Sequence, residues 1–170
     1  MNFEISHTLP ADRDTVLAIM LDAEYYKFCQ AHHSGVDRIE MLQQEDQGNI
    51  VRRRVLYQPK PIIRRIGPKE IPPDAMAWTE ESTLDKAAYR LRFTNVAAKD
   101  WVRKRLANSG TIELRAAGPD RTTRVVAGEL KVKFPILGGI AERIIYGKAK
   151  DILDEEARVF EKYLRERKAK

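Results

Sequence analysis

Chemistry in a folded chain needs polar groups that converge, so the histidines, the single cysteine and the paired acids come first. His7 lies in the alternating stretch Asn2–Leu9, on the same parity as Phe3, Ile5 and Leu9, which directs it inward. A neutral inward histidine, hydrogen-bonded to backbone or to a tyrosine, accounts for it better than catalysis does. No motif supplies it with a partner: the chain lacks Gly-x-Ser-x-Gly, His-Glu-x-x-His and a phosphate-cradling glycine-rich loop. Cys29, His32 and His33 stand at positions i, i+3 and i+4, which share a helix face and could ligate zinc. They fall where a helix should end ahead of Gly35, and no fourth ligand is evident. They read as a polar helix terminus, and neither a metal nor another cofactor is expected. Glu80–Glu81 and Glu155–Glu156 are adjacent pairs whose members point apart on a strand or a helix. They are expected in solvent, and no residue is assigned a catalytic role.

The basic residues gather in two places. Arg52, Arg53, Arg54, Lys60, Arg64, Arg65 and Lys69 crowd one hairpin and its loop, and Lys99, Arg103, Lys104 and Arg105 surround Trp101. A solvated face with counter-charges nearby accounts for them slightly better than a binding surface does. Of the binding surfaces, an anionic membrane is preferred to nucleic acid, because aromatic and cationic side chains mix at membrane interfaces and no nucleic-acid motif is present. Arg64, Arg65, Trp101, Arg103 and Lys104 are the candidate membrane or anion contacts. The net charge of +6 and pI of about 9.5 permit anionic partners without selecting one. One cysteine in 170 residues excludes an internal disulfide and suits a reducing compartment. The N-terminus has no basic and apolar signal pattern, and no apolar run is long enough to span a bilayer. A soluble, cytoplasmic protein is expected.

The elements that must position these residues follow from period and punctuation. Asn2–Leu9 reads as a half-buried strand, stopped by Pro10. Asp12 and Asp22 read as N-caps of two short helices, Thr15–Leu21 and a second ending at Cys29. Val36–Gln44 and Ile50–Tyr57 form a hairpin, with Val51, Val55 and Tyr57 on one face. Gln58–Pro73 carries five prolines and reads as an irregular edge or long loop. Ala75–Asp85 and Ala88–Val96 form a second hairpin. Ala97–Ala107 breaks the rhythm, and Gly110–Ala116 and Thr122–Phe134 complete the strands. A long helix follows the Pro135–Gly139 bend and runs to Arg167. Ile140, Ile144, Ile145, Ile152, Leu153, Phe160 and Leu164 make its apolar stripe. Nothing divides the chain, so residues 1–170 are expected to form one domain.

Three stretches stand out within this order: the opening NFEISHTLPADRDTVLAIM, the strand GELKVKFP, and the Pro135–Gly139 approach to the last helix with Glu142 one turn in. With them the order resembles the START-like (SRPBCC, Bet v 1-like) helix-grip superfamily, in an uncharacterised bacterial branch. The resemblance implies an α+β fold: a curved antiparallel sheet of about seven strands wrapped around a long C-terminal α-helix, with two short helices after the first strand. It also implies a cavity between sheet and helix that binds a hydrophobic small molecule such as a lipid; the superfamily also contains enzymes, and non-enzymatic binding or transport is the function expected here. The alternatives are a polyketide cyclase or aromatase using the same pocket, and a basic-surface module for anionic membrane or nucleic acid. The candidate ligand contacts on the sheet are His7, Tyr57, Trp78, Leu91, Phe93, Leu130, Val132 and Phe134. Ile144, Ile145, Ala149 and Ile152 face them from the helix.

Overall fold

A computed structural model describes residues 1–61, 65–66, 69–70, 72–133 and 138–168. The first strand, β1, spans Asn2–Leu9, and its alternation is realised: Ile5 and Leu9 are buried while Glu4, Ser6 and Thr8 face solvent. Asp12 then caps α1, Arg13–Met20, accepting hydrogen bonds from Thr15 N at 2.9 Å and Thr15 Oγ1 at 2.7 Å. Asp22 caps α2, Ala23–His32, accepting from Glu24 N at 2.9 Å. Both caps satisfy amides that a helix start leaves without an internal partner.

The remaining strands are β2 (Val36–Gln47), β3 (Ile50–Pro59), the two-residue pair β4 (Arg65–Ile66) and β5 (Lys69–Glu70), β6 (Trp78–Asp85), β7 (Arg90–Ala97), β8 (Leu106–Gly118) and β9 (Arg121–Val132). Seven of them form one antiparallel sheet in the order β1-β9-β8-β7-β6-β3-β2, and β4 pairs with β5 in a separate ladder. A short helix, α3 (Asp100–Arg103), links β7 to β8, and α4 (Gly138–Lys168) closes the described chain. This is the curved helix-grip α+β architecture. Gly110 and Gly128 face each other across β8 and β9. A Cβ on either would fall 2.1 Å from Ala127 O or 2.3 Å from Ser109 O. Only glycine permits that backbone approach, the kind that lets a sheet curl.

Among the boundaries that differ from those read in the sequence, three change the type of an element. β8 begins at Leu106, whose register partner is Val132, so part of the expected break is strand. Asn108 and Ser109 are poor strand formers, and pairing with β9 overrides them. Ala75 and Met76 belong to a 3-10 turn over Pro73–Met76 and not to β6. Pro72 and Pro73 bring fixed φ angles and remove ladder donors, which favours a helical start. The proline-rich run holds the short β4–β5 ladder, and its residues 62–64, 67–68 and 71 lie outside the described residues.

The core sits under the C-terminal half of α4. Ala157, Val159, Phe160 and Leu164 are buried against Val16 and Ile19 of α1, Tyr25 and Cys29 of α2, and Leu9 and Val55 of the sheet. The Tyr25 ring meets Phe160 edge-on at 5.6 Å. The first turns of α4 behave differently. Ile140 and Ile144, expected on the inward stripe, are 57% and 54% exposed. The start of the helix is fixed instead by Glu142, whose carboxylate accepts from Val132 N at 3.0 Å.

Candidate functional site

The concave face and α4 enclose a cavity of about 260 Å³. Its wall is the inward parity of nearly every strand. Phe3, Ile5 and Leu9 come from β1, Tyr57 from β3, Trp78 from β6, Phe93 from β7, Ile112 from β8, and Val126 and Leu130 from β9. Val16 and Met20 of α1 close one end. Ile144, Ile145, Ala149, Ile152 and Leu153 of α4 form the opposite wall. Tyr57 and Trp78 are register partners and stack with ring centroids 5.4 Å apart. Apolar walls with a few placed polar groups are the usual make-up of a small-molecule site.

The structure thus brings Tyr57, Trp78, Phe93, Leu130, Ile144, Ile145, Ala149 and Ile152 to one cavity. It does not bring His7, Leu91 or Val132 there. Leu91 is fully buried in a second cluster with Val51, Leu84, Phe93 and Val126. Phe134 lies outside the described residues, as does Arg64. The backbone of Arg65 belongs to β4, and nothing is described of its side chain. Trp101 and Arg103 of α3, and Lys104 just after it, are exposed. They stand apart from the cavity wall.

His7 faces α4 beside the cavity. Its Nε2 lies 2.9 Å from Asp154 Oδ1, and Arg124 Nη2 lies 3.4 Å from its Nδ1. Because a guanidinium can only donate, Nδ1 accepts and Nε2–H donates to the carboxylate. Asp154 also holds Lys150 at 2.5 Å. The Lys150 hydrogen bond, followed by that of His7, draws the Asp154 carboxyl below its ordinary range. The expected backbone or tyrosine partner is therefore replaced by an acid and a guanidinium.

The groups that sequence reasoning missed are two ion pairs. Arg53 of β3, grouped with surface cations in the sequence, is 3% exposed. Its Nη1 donates to Met20 O at 2.6 Å and to Tyr26 Oη at 2.7 Å, and its Nη2 stands 3.5 Å from Glu80 Oε1. Arg124 of β9 is 5% exposed, with Nη1 3.2 Å from Glu156 Oε2 and Nη2 donating to Leu153 O. All four charged residues line the cavity. The expectation that Glu80 and Glu156 are solvated is thus corrected. Glu81 does point outward, as adjacency requires, but that leaves Glu80 facing in. Parity carried the signal: Arg53 shares it with Val51 and Val55, and Glu80 with Trp78 and Leu84. Glu156 stands one turn from Ile152 and one from Phe160, on the apolar stripe.

Burial pushes the Glu80 carboxyl above its ordinary value, and the Arg53 charge offsets only part of that rise. Burial works against the charge on Arg53, but Tyr26 and Glu80 outweigh it, so the guanidinium stays ionised. Burial also pushes Tyr26 up to about 12 and Tyr57 well above the usual phenol range. Both tyrosines hold their protons at neutral pH. Burial likewise pushes the Cys29 thiol up to about 12, which makes it a poor nucleophile and a poor metal ligand. The side chains of the Cys29, His32 and His33 cluster diverge. Cys29 enters the core, His32 is exposed and stacks on Phe28, and His33 crosses to Ile152 O at 3.0 Å.

Comparisons with known proteins agree with this architecture. Residues 4–164 match the family described as Protein of unknown function (DUF2505). No curated protein matches the sequence. Among solved structures, the chain is similar to a START superfamily protein from Mycobacterium smegmatis, at 14% identity over 97% of both chains with a TM-score of 0.57. Norcoclaurine synthase from Thalictrum flavum is 16% identical over 98% of this chain and 87% of that one, with a TM-score of 0.63. The Zhui aromatase/cyclase from Streptomyces sp. R1128 is 16% identical over 95% and 89%, with a TM-score of 0.55. At these identities the likeness is one of fold: the chain has a START-like, Bet v 1-like fold.

Proposed function

The chain belongs to the family described as Protein of unknown function (DUF2505), and from that premise we propose that this member binds or carries an apolar small molecule without transforming it. The observation that carries the reading is the cavity of about 260 Å³, walled by one parity of the sheet and by the first half of α4. A fold stabilised only by packing would fill that space, since protein interiors approach crystal density. Proteins of this fold include binders and cyclases, and the norcoclaurine synthase is seen in complex with dopamine and hydroxybenzaldehyde. A single-chain or two-ring lipid-like molecule fits this space; a diacyl lipid does not.

The enzymatic alternative has less support. Tyr26 and Tyr57 keep their protons, and Glu80 and Glu156 are each engaged by an arginine. Acid or base work at the cavity would first have to break an ion pair. Native mass spectrometry of the purified protein is the test, with Ala149→Trp as the comparison. Ala149 lines the cavity yet is solvent-exposed, so an indole there obstructs the mouth with little effect on the core. A co-purified apolar molecule is expected on the parent chain and not on the variant. A folded parent chain that retains nothing and takes up no apolar probe would overturn the proposal.

A further inference from the structure

The cavity wall carries charge, and that charge is already balanced. Arg53 and Arg124 are opposed by Glu80 and Glu156, each pair in contact. The other cation on the wall, Lys148, is 51% exposed and stands 3.7 Å from Asp151 on the outer side of α4. The buried part of the site is therefore neutral as built. We infer that the ligand is a neutral amphiphile: an apolar body with an uncharged hydrogen-bonding group such as an alcohol or phenol. This inference rests on the binding role proposed above and specifies what is bound.

An anionic head beside Arg53 or Arg124 would bring a second negative charge to an arginine that Glu80 or Glu156 already balances. The surplus charge would sit in the buried wall without a partner of its own, which is strongly unfavourable. An ammonium head beside either carboxylate would leave a surplus positive charge in the same way. A neutral group adds no charge. A small side-chain shift would present to it polar atoms of the wall residues that are buried and lack a partner among the described residues. Asn95 Oδ1 is such an acceptor, since only the amide nitrogen of Asn95 is used, in a bond to Asn108 Oδ1 at 2.6 Å. Arg53 Nε and Arg124 Nε are such donors. Size narrows the class further. At about 30 Å³ of liquid volume per water, 260 Å³ holds roughly nine water-sized groups. That is room for an eight-carbon chain with its hydroxyl, or for two fused rings.

The experiment compares 1-octanol, octanoate and octylammonium by calorimetric titration of the full chain at pH 8, where the last two are ionised. Octanol is expected to bind at least about tenfold more tightly than either ion, a difference of ~1.4 kcal/mol. Glu80→Gln unbalances Arg53 and is expected to shift the preference toward octanoate. Glu156→Gln should do the same through Arg124, and serves if the first variant does not fold. Tighter binding of either ion by the parent chain, or an unchanged ranking in a folded variant, overturns the inference and leaves the binding role standing. If none of the three binds, the molecule retained in the native mass spectrum decides. An alcohol, phenol or other neutral compound supports the inference, an acid or amine overturns it, and an empty cavity overturns the binding role as well.

Discussion

Replacing Arg53 by alanine would leave Glu80 in the cavity wall with its guanidinium gone, and would remove the donor to Met20 O at the end of α1. Breaking one side of a buried pair typically costs about 3–5 kcal/mol, whereas replacing both partners by apolar groups is often nearly neutral. In urea denaturation, Arg53→Ala is therefore expected to lose more stability than the double variant Arg53→Met, Glu80→Met. If the double variant is the less stable of the two, the pair contributes to stability beyond its own compensation. These residues also mark the limit of what the sequence discloses. Parity placed Arg53 inside, but three consecutive arginines at 52–54 suggest a solvated edge, and composition outweighed position. Alternation along one strand cannot show that a carboxylate on the next strand waits on the diagonal. That follows only from the β3–β6 register, in which Val55 lies opposite Glu80.

At the scale of elements, α4 is one continuous helix held in two ways. Its second half is anchored by buried Phe160 and Leu164, and its start by the single carboxylate of Glu142 on Val132 N. That backbone hydrogen bond holds the Glu142 carboxyl below its ordinary value near 4.5. A depressed carboxyl contributes stability above its unfolded pKa and loses it as pH falls through the folded value. The stability difference between the parent chain and Glu142→Gln is therefore expected at neutral pH and should shrink as the medium is taken down to about pH 3. Urea midpoints measured across that range provide the check, and a difference that grows on acidification would refute the role given to Glu142. The helix itself was legible as a 3.6-residue stripe, as were the caps at Asp12 and Asp22. The looseness of the first turns was not, because Ile140 and Ile144 repeat the same period as Phe160 and Leu164. Periodicity records which side a residue takes and is silent on whether anything meets it there.

For the whole molecule, one end gathers most of what is apolar and exposed. Leu106 pairs with Val132, Lys133 N donates to Arg105 O, and Glu142 reaches Val132. These contacts bring α3 and the first turns of α4 to the same rim. Trp101, Ile140 and Ile144 are exposed on it at 45%, 57% and 54%, among Arg103, Lys104 and Arg105. We propose that this rim docks on anionic membrane, the source from which an apolar ligand would be drawn. Sedimentation with phosphatidylserine-containing vesicles should show binding that weakens with salt and falls in Trp101→Ala and in Lys104→Glu. Equal binding to neutral vesicles, or unchanged binding by both variants, would refute it. The global architecture was readable in the sequence because hairpin turns and alternation leave few ways to close a sheet on one helix. The cavity's neutrality was not, because it depends on side chains more than 25 positions apart in the chain, such as Arg53 and Glu80 at 3.5 Å. The unequal anchoring of α4 has a temporal consequence. Amide hydrogen exchange should report one rod with two clocks, quick over residues 141–150 and slow over 155–164, because protection follows the burial that must be undone to open each turn. A bound ligand leaning on Ile145 and Ile152 would bring the fast clock toward the slow one, so the molecule would record occupancy as a change in tempo with no change in shape.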